Sequence, residues 1–465
     1  MKSNPIFVIL FLFLPALILA RTEMLLLVKM LPLQAVWLEE NVLKPFEKEN
    51  NVVIRLQNFQ AYQDLERIVS QNAAFDVVKI PMDRAGAFRA NGNIWAVSAV
   101  ADRALQDSIR SAYLLPPLAV GGDTIWYLPR KLETRIMVYR ISKVREALSA
   151  YRAMLPEINM AVAKINRKGL PTDYVLEENP DNWDYYDVLV AGYVWNKQNK
   201  GRGRVGHRSK NYEGTMLRVV DRAFQLGATR GEIPYLTSRP VTEAFEWEYA
   251  YARLHVYNAL MFEQEWTGRE LWQVFGAEQI FLTFLTQIDC FFLLGNGDKK
   301  MPGFAKDAED VGFACMPKGA SLSGEEALFV NRNVTTGGWF WAIGKESPNK
   351  ALALRLMLYM TSADIQEKEF NEFGTFPTRH ELLKTNPDKL YMKRWQNRVL
   401  QTSLKQVEVN RYTIFPTFQD AVSMQNRYYK VLRELCVKPE RFTSLDQVKK
   451  VLADNDMPPG EESQP

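Results

Sequence analysis

Gly337–Arg379 reads GGWFWAIGKESPNKALALRLMLYMTSADIQEKEFNEFGTFPTR, and the rest of the chain is organised around it. The glycine pair lets backbone approach backbone or ligand closely. WFWAI is an aromatic, β-branched run that suits a buried strand. Gly344 to Asn349 is a turn. Ser347 is expected to cap the next helix, with Pro348 at its first position, where a missing N–H costs nothing. Ala351 to Met360 is apolar on most sides, so this helix should be largely buried. Thr361 to Asp364 starts a second short helix that stops at Gly374, a C′ glycine. FPTR (Phe376–Arg379) then leaves in extended form.

The first hundred residues supply the matching half of a sheet. MLLLVKM at Met24–Met30 is nearly continuous apolar, as a strand covered on both faces should be. Ala35, Leu38, Val42 and Phe46 repeat at helical spacing, and Pro45 kinks or restarts that helix. Val52–Leu56 is a second strand, Ala61–Ala73 a second helix and Phe75–Ile80 a third strand. The β-α-β-α-β order implies a parallel α/β sheet.

Ligands of open α/β sheets sit beyond the carboxyl ends of the strands. The polar candidates there are Gln34, Gln60, Tyr62, Asp64 and Asp83, each a ligand contact or a cap or turn residue; for the two aspartates the cap is at least as natural.

These segments resemble the bacterial extracellular solute-binding proteins of the sugar-binding type, the receptors of ABC importers. The resemblance rests on the ordered series GGW, SPNK, TS…Q and G…PTR. The opening PFEKENNVVIRL…FDVVKI and the later segments IWYLPRKLETRIMVYR (from Ile125 through Arg140), NWDYYDVLVAGYVW (Asn182–Trp195), NYEGT (Asn211–Thr215) and VGFACMPKG (Val311–Gly319) carry it further. Where relatives have a "G…AAM" strand near the cleft, this chain has TQIDCFFLLGNGD instead.

The resemblance implies a two-lobed α/β periplasmic-binding-protein fold (type II). Each lobe is a mainly parallel sheet flanked by helices, with the ligand in the cleft between. The expected division is 1–20 as signal peptide, 21–135 with 318–375 as first lobe, 136–317 with 376–456 as second lobe, and 457–465 as a loose tail. A carbohydrate, whether mono- or oligosaccharide or polyol, is the implied ligand. ABC permease subunits are the implied partners, and the protein is expected to act as a monomer with no cofactor.

A sugar presents apolar C–H faces and hydroxyl edges, which aromatic rings and carboxylates, amides or arginines satisfy. Trp339, after Gly338, is the first candidate. Trp341 lies deeper on the same strand and belongs to the core. Trp126 faces the cleft or is a core residue of its strand. Arg130 and Arg379 are hydroxyl or carboxylate partners or surface arginines. The aromatics Trp183, Tyr185 and Tyr186 fit a core, since large rings dominate cores.

Composition closes off other classes. The 465 residues suffice for two or three domains, and 47% hydrophobic with 24% charged residues is an ordinary globular balance. A formal charge of +4 gives no reason to expect nucleic acid. Three cysteines without CxxC and three scattered histidines support neither a disulfide framework nor a zinc site. GRGRVG at Gly201–Gly206 matches GxGxxG, but no strand precedes it, so it is a solvated loop.

Met1–Ala20, with Lys2 ahead of the apolar run Ile6–Ala20, has the form of a secretory signal peptide cleaved after Ala20. Ile18 at the −3 position keeps an uncleaved anchor as the alternative. An exported protein with only three cysteines, none paired by motif, fits a bacterial periplasm better than a disulfide-rich secreted scaffold. A periplasmic hydrolase would need two carboxylates about 5–9.5 Å apart. Acids such as Asp184, Asp187, Glu246 and Glu248 exist, but GxSxG, HExxH and P-loop motifs are absent. A sensor subunit of a membrane receptor would share the same fold and cleft.

Overall fold

The computed structural model describes residues 21–59, 67–68, 74–296, 301–324, 331–384, 394–409 and 421–456. The signal-peptide expectation, almost all of the Ala61–Ala73 helix and the C-terminal tail lie outside them.

The first sheet is built from the strands anticipated above. β1 (Thr22–Val28) pairs in parallel with β2 (Val52–Asn58) and β3 (Val77–Pro81). The helix between β1 and β2 runs Pro32–Leu38, opens into a π turn at Glu39–Leu43 and restarts at Lys44–Asn50. Pro45 has no N–H for the i−4 carbonyl, and the π turn absorbs the missing bond. After β4 (Ile94–Trp95) comes a small hairpin, β5 (Val120–Gly121) with β6 (Thr124–Ile125). β7 (Leu128–Glu133) then joins the first sheet.

A single residue, Thr134, separates β7 from β8 (Arg135–Arg140), the central strand of a second sheet with β9 (Leu282–Thr286) and β10 (Val311–Ala314). From β10 the chain stays against the second sheet's side: Lys318 bridges to Asp184, Asn331 N–H donates to Gln225 O, and Thr335 bonds Asp221. It returns to the first sheet as β11 (Gly337–Gly344), which pairs antiparallel with β3, β4 and β7. Two apolar clusters result: one on the outer face of the first sheet, the other running from its inner face through the second sheet and its helices.

The structure corrects several expectations. The second sheet is wholly antiparallel, and the first is mixed because β11 runs against its neighbours. Continuous apolar strands report that both faces are covered by helices; they do not report strand direction. Ser347 does not cap the helix, which spans Lys350–Met360 behind Asn349. Its hydroxyl donates instead to Asp76 Oδ1 at 2.5 Å, tying the turn after β11 to the residue before β3. Pro348 consequently lies in the turn. The following helix, Ala363–Phe373, does end at Gly374 in the left-handed region (φ 71°).

Phe376 and Arg379 bridge to Leu132 and Tyr113, so FPTR is held beside the first sheet. We therefore propose that the lobe crossings lie at Thr134, between Thr335 and Gly337, and beyond Arg379.

Trp183, Tyr185 and Tyr186 are buried in the core, as is Trp341 at 1% exposure. Asp184 and Asp187 cap the Tyr185–Gln198 helix reciprocally, which accounts for that acidic pair. All three cysteines are buried and free. Burial pushes the Cys315 thiol up to about 11 and the other two upward as well. The thiolate is the reactive form. Iodoacetamide at pH 8 is therefore expected to leave the native protein unlabelled and to add three adducts after unfolding, read by intact mass. A native adduct would contradict this burial.

Candidate functional site

Between elements of the first sheet and elements packed with the second lies a cleft with about 910 Å³ of open space, its solvent mouth included. One wall is the carboxyl end of β3 (Pro81, Met82, Arg84), the end of β7 (Glu133) and the start of β11 (Gly337, Gly338, Trp339). The other wall is Arg135, Thr286 at the end of β9, the Glu213–Gln225 helix (Glu213, Met216, Leu217) and the Ala421–Val437 helix (Val422, Gln425). Thr134 and Thr335 sit where the chain passes between the walls.

The glycine pair has two distinct roles. Gly338 has φ +150°, and a Cβ there would lie 2.2 Å from Lys131 O. Glycine is required because β11 and β7 approach so closely at this point. A Cβ on Gly337 would meet nothing within 4 Å, so its backbone faces open space. The register between β11 and β7 slips at the next step: Trp339 opposes Lys131, but Phe340 opposes Pro129. This bulge aims Trp339 at the cleft, a common use of an irregular step beside a binding site.

Trp339 is half-buried. Lys79, buried on β3, places its ammonium nitrogen 3.9 Å from the centroid of the Trp339 ring. The same nitrogen donates to Lys29 O at 2.6 Å. Burial, with the Arg130 and Lys131 charges beside it, pushes the Lys79 pKa well below the usual lysine range. Lys131 pairs with Glu133. Burial alone would raise the Glu133 carboxyl, but the charge and hydrogen bond of Lys131 outweigh it and hold that carboxyl below its ordinary value. Glu133 is therefore an acceptor at neutral pH. Arg130, skipped by the bulge, pairs with Glu369 away from the cleft.

Arg135 is fixed from behind. Its Nε donates to Asp221 Oδ2 at 2.6 Å and its Nη2 to Asp221 Oδ1 at 2.9 Å. Asp221 also accepts from Thr335 N and from Thr335 Oγ1, both at 2.7 Å. The result is a half-buried aromatic ring facing carboxylate, guanidinium, hydroxyl and amide groups. Such a wall can cover an apolar ring face while exchanging hydrogen bonds with hydroxyls.

The sequence candidates divide. Trp339 and Gly338 line the cleft. Asp83 is the second residue of the Met82–Ala90 helix, between two cleft-lining residues. Gln60, Tyr62 and Asp64 lie outside the described residues. Trp126 packs beside Gly121 and is not on the cleft lining. Arg379 pairs with Glu381 at 2.6 Å and lies over the Tyr113 ring, also off the lining. Gln34 accepts from Leu31 N–H at 3.4 Å at the start of its helix, the capping alternative.

Sequence reasoning missed Lys79, Lys131, Glu133, Arg135 and Glu213. One signal was present: PRKLETR places four charges in seven residues of a strand pair, and charges inside a central sheet need a local reason.

Among the described residues no cluster of His, Cys, Asp and Glu could hold a metal, and no helix is long and apolar enough to cross a membrane.

Comparison with known proteins places this architecture. The fold matches maltose-bound MalE3 of T. maritima (15% identity, 93% of this chain and 98% of that one, TM-score 0.64). It also matches the GacH receptor of Streptomyces glaucescens (12%, 93% and 97%, 0.65). A solute-binding protein of Agrobacterium radiobacter K84 in complex with ribitol is a third match (16%, 93% and 98%, 0.64). No curated protein matches the chain in sequence. A sequence profile of bacterial extracellular solute-binding proteins matches residues 41–397, and the chain belongs to that family.

Proposed function

We propose that this protein is an exported receptor that captures a carbohydrate or polyol in the cleft and delivers it to the permease of an ABC importer. The observation that carries this reading is the half-buried Trp339 ring set among Glu133, Arg135, Glu213 and the threonine hydroxyls in one cavity. Ligand binding draws the two walls together by rotation at Thr134 and the Thr335–Gly337 crossing, the hinge closure such folds support. Residues 1–20 act as the leader for a periplasmic location, and the receptor works as a monomer. Solved structures of this fold hold maltose, acarbose or ribitol, which supports the ligand class.

The test is intrinsic tryptophan fluorescence during titration with mono- and oligosaccharides, polyols and sugar acids, with the recovered ligand checked for breakdown. A saturable shift with intact ligand is the expected result. Trp339→Ala is expected to weaken binding ten-fold or more, about 1.4 kcal/mol, while Trp126→Phe leaves affinity unchanged. Equal affinity of Trp339→Ala and the parent would move the binding surface elsewhere. Since Glu133 and Glu213 share the cavity, cleavage of an added oligosaccharide would replace the receptor reading with a hydrolase.

A further inference from the structure

Behind the cleft wall, inside the second sheet's helices, lies a small cavity lined by Arg218, Asp221, Arg222, Gln225 and His207. Every one of these side chains is more than nine-tenths buried. Burying charge without a partner is costly, so the local charge balance is informative.

Three carboxylates serve four arginines here. Asp221 holds Arg135, Asp289 holds Arg208, and Glu248 is shared between Arg218 and Arg222. His207 adds no acid: its Nδ1 accepts Arg208 N–H at 2.8 Å, so the neutral ring carries its proton on Nε2 and is a donor towards its surroundings. The cluster therefore has one positive charge in excess.

The excess is localised on Arg222. Its guanidinium lies between the Tyr185 and Tyr251 rings, 4.4 and 4.9 Å from their centroids. Its Nη2 meets Glu248 at 3.2 Å and Tyr257 Oη at 3.3 Å. Its Nε and Nη1 have no acceptor among the described residues, and neither has the Gln225 Nε2 amide beside it. The Gln225 carbonyl side is already taken by the Tyr185 hydroxyl. On the acid side, the Asp221 oxygens are occupied by Arg135 and Thr335. Glu248 Oε1, within ion-pair distance of Arg222, is the one acceptor there without a hydrogen bond.

We propose that this cavity is a binding site for a small monovalent anion of halide size, held by Arg222, Gln225 and His207. The aromatic walls and small volume suit a spherical ion and exclude phosphate or a sugar acid. The site also touches function, because Asp221 lines this cavity and fixes both Arg135 and Thr335 in the ligand cleft. Anion occupancy would thus stiffen the second wall of the cleft. The inference rests on the cavity's chemistry and not on the identity of the transported ligand.

The test uses the protein expressed with its own N-terminal segment and exchanged into sodium gluconate. Titration with sodium chloride or bromide at constant ionic strength is expected to raise Tm by a few degrees and to saturate, since a ligand that binds only the folded state stabilises it. Crystals soaked in bromide are expected to show an anomalous peak beside Arg222. Gln225→Glu supplies a tethered carboxylate, so its Tm in gluconate should rise and its halide response disappear. Identical Tm in gluconate and halide, with no bromide peak, would overturn the proposal and leave the cavity to water. A Gln225→Glu protein that keeps the parent's halide response would equally exclude Gln225 from the site.

Discussion

Arg135→Ala is expected to destabilise the protein by about 3–5 kcal/mol, because it strands a buried carboxylate. Asp221 is 1% exposed, and Arg135 is its only cationic partner among the recorded ion pairs of the described residues. What remains after the substitution is two hydrogen bonds from Thr335, too little to offset desolvation of the charge. The position magnifies the effect. Arg135 is the first residue after Thr134, which separates β7 from β8, and Thr335 lies just before β11, so Asp221 ties both proposed crossings to one helix. Urea unfolding followed by fluorescence and circular dichroism would measure the loss, given coincident transitions. A loss under about 1 kcal/mol would mean that the pair is not a structural anchor. Arg135→Met with Asp221→Leu removes both charges and should recover part of the stability, as replacing a buried pair by apolar side chains often does. The single variant should also bind ligand more weakly, since Arg135 lines the cleft.

Gly338→Ala is expected to be nearly as damaging. At φ +150° an L-residue is strained by about 1–3 kcal/mol. The new methyl would also lie 2.2 Å from Lys131 O and 2.9 Å from Met82 Cε, and overpacking adds about 1–3 kcal/mol. Relief requires β11 to move away from β7, which shifts Trp339 with it. Both stability and ligand affinity should therefore fall. Gly337→Ala is the matched control: its Cβ meets nothing within 4 Å, and stability should change by less than about 1 kcal/mol. Equal behaviour of the two variants would show that close approach of β11 and β7 does not constrain the site.

These two positions differ in how far the sequence reveals them. GGWFWAIG announces a strand behind a glycine pair, and the strand runs Gly337–Gly344 with Trp339 on the cleft lining. The need for glycine at Gly338 comes from Lys131, about two hundred residues earlier. The bonds that join Arg135, Asp221 and Thr335 span 86, 114 and 200 positions. No local pattern encodes such a cluster. Lys79 beneath the Trp339 ring is similar: on its own strand it is one charged residue in VVKIP, and only the pairing of β3 with β11 gives it a purpose.

Trp126 and Arg379 show the other side of the same problem. The resemblance offered Trp126 as a cleft or core residue, and its chemistry offered Arg379 as a ligand partner or a surface arginine; the hairpin before β7 places Trp126 beside Gly121, and Tyr113 with Glu381 engages Arg379. A residue type suited to a ligand is equally suited to packing, and the neighbours decide between them.

The amino-acid sequence by itself determined the local elements: the β-α-β opening, the buried strand and helices of the Gly337–Arg379 stretch, the glycine stop at Gly374 and the family. These follow from periodicity, propensity and turn chemistry, which act over a few residues. Only the tertiary structure decided strand direction in the second sheet and the charged lining of the cleft. Those depend on which distant segments meet, and burial of charge is tolerated only where such a meeting supplies the partner.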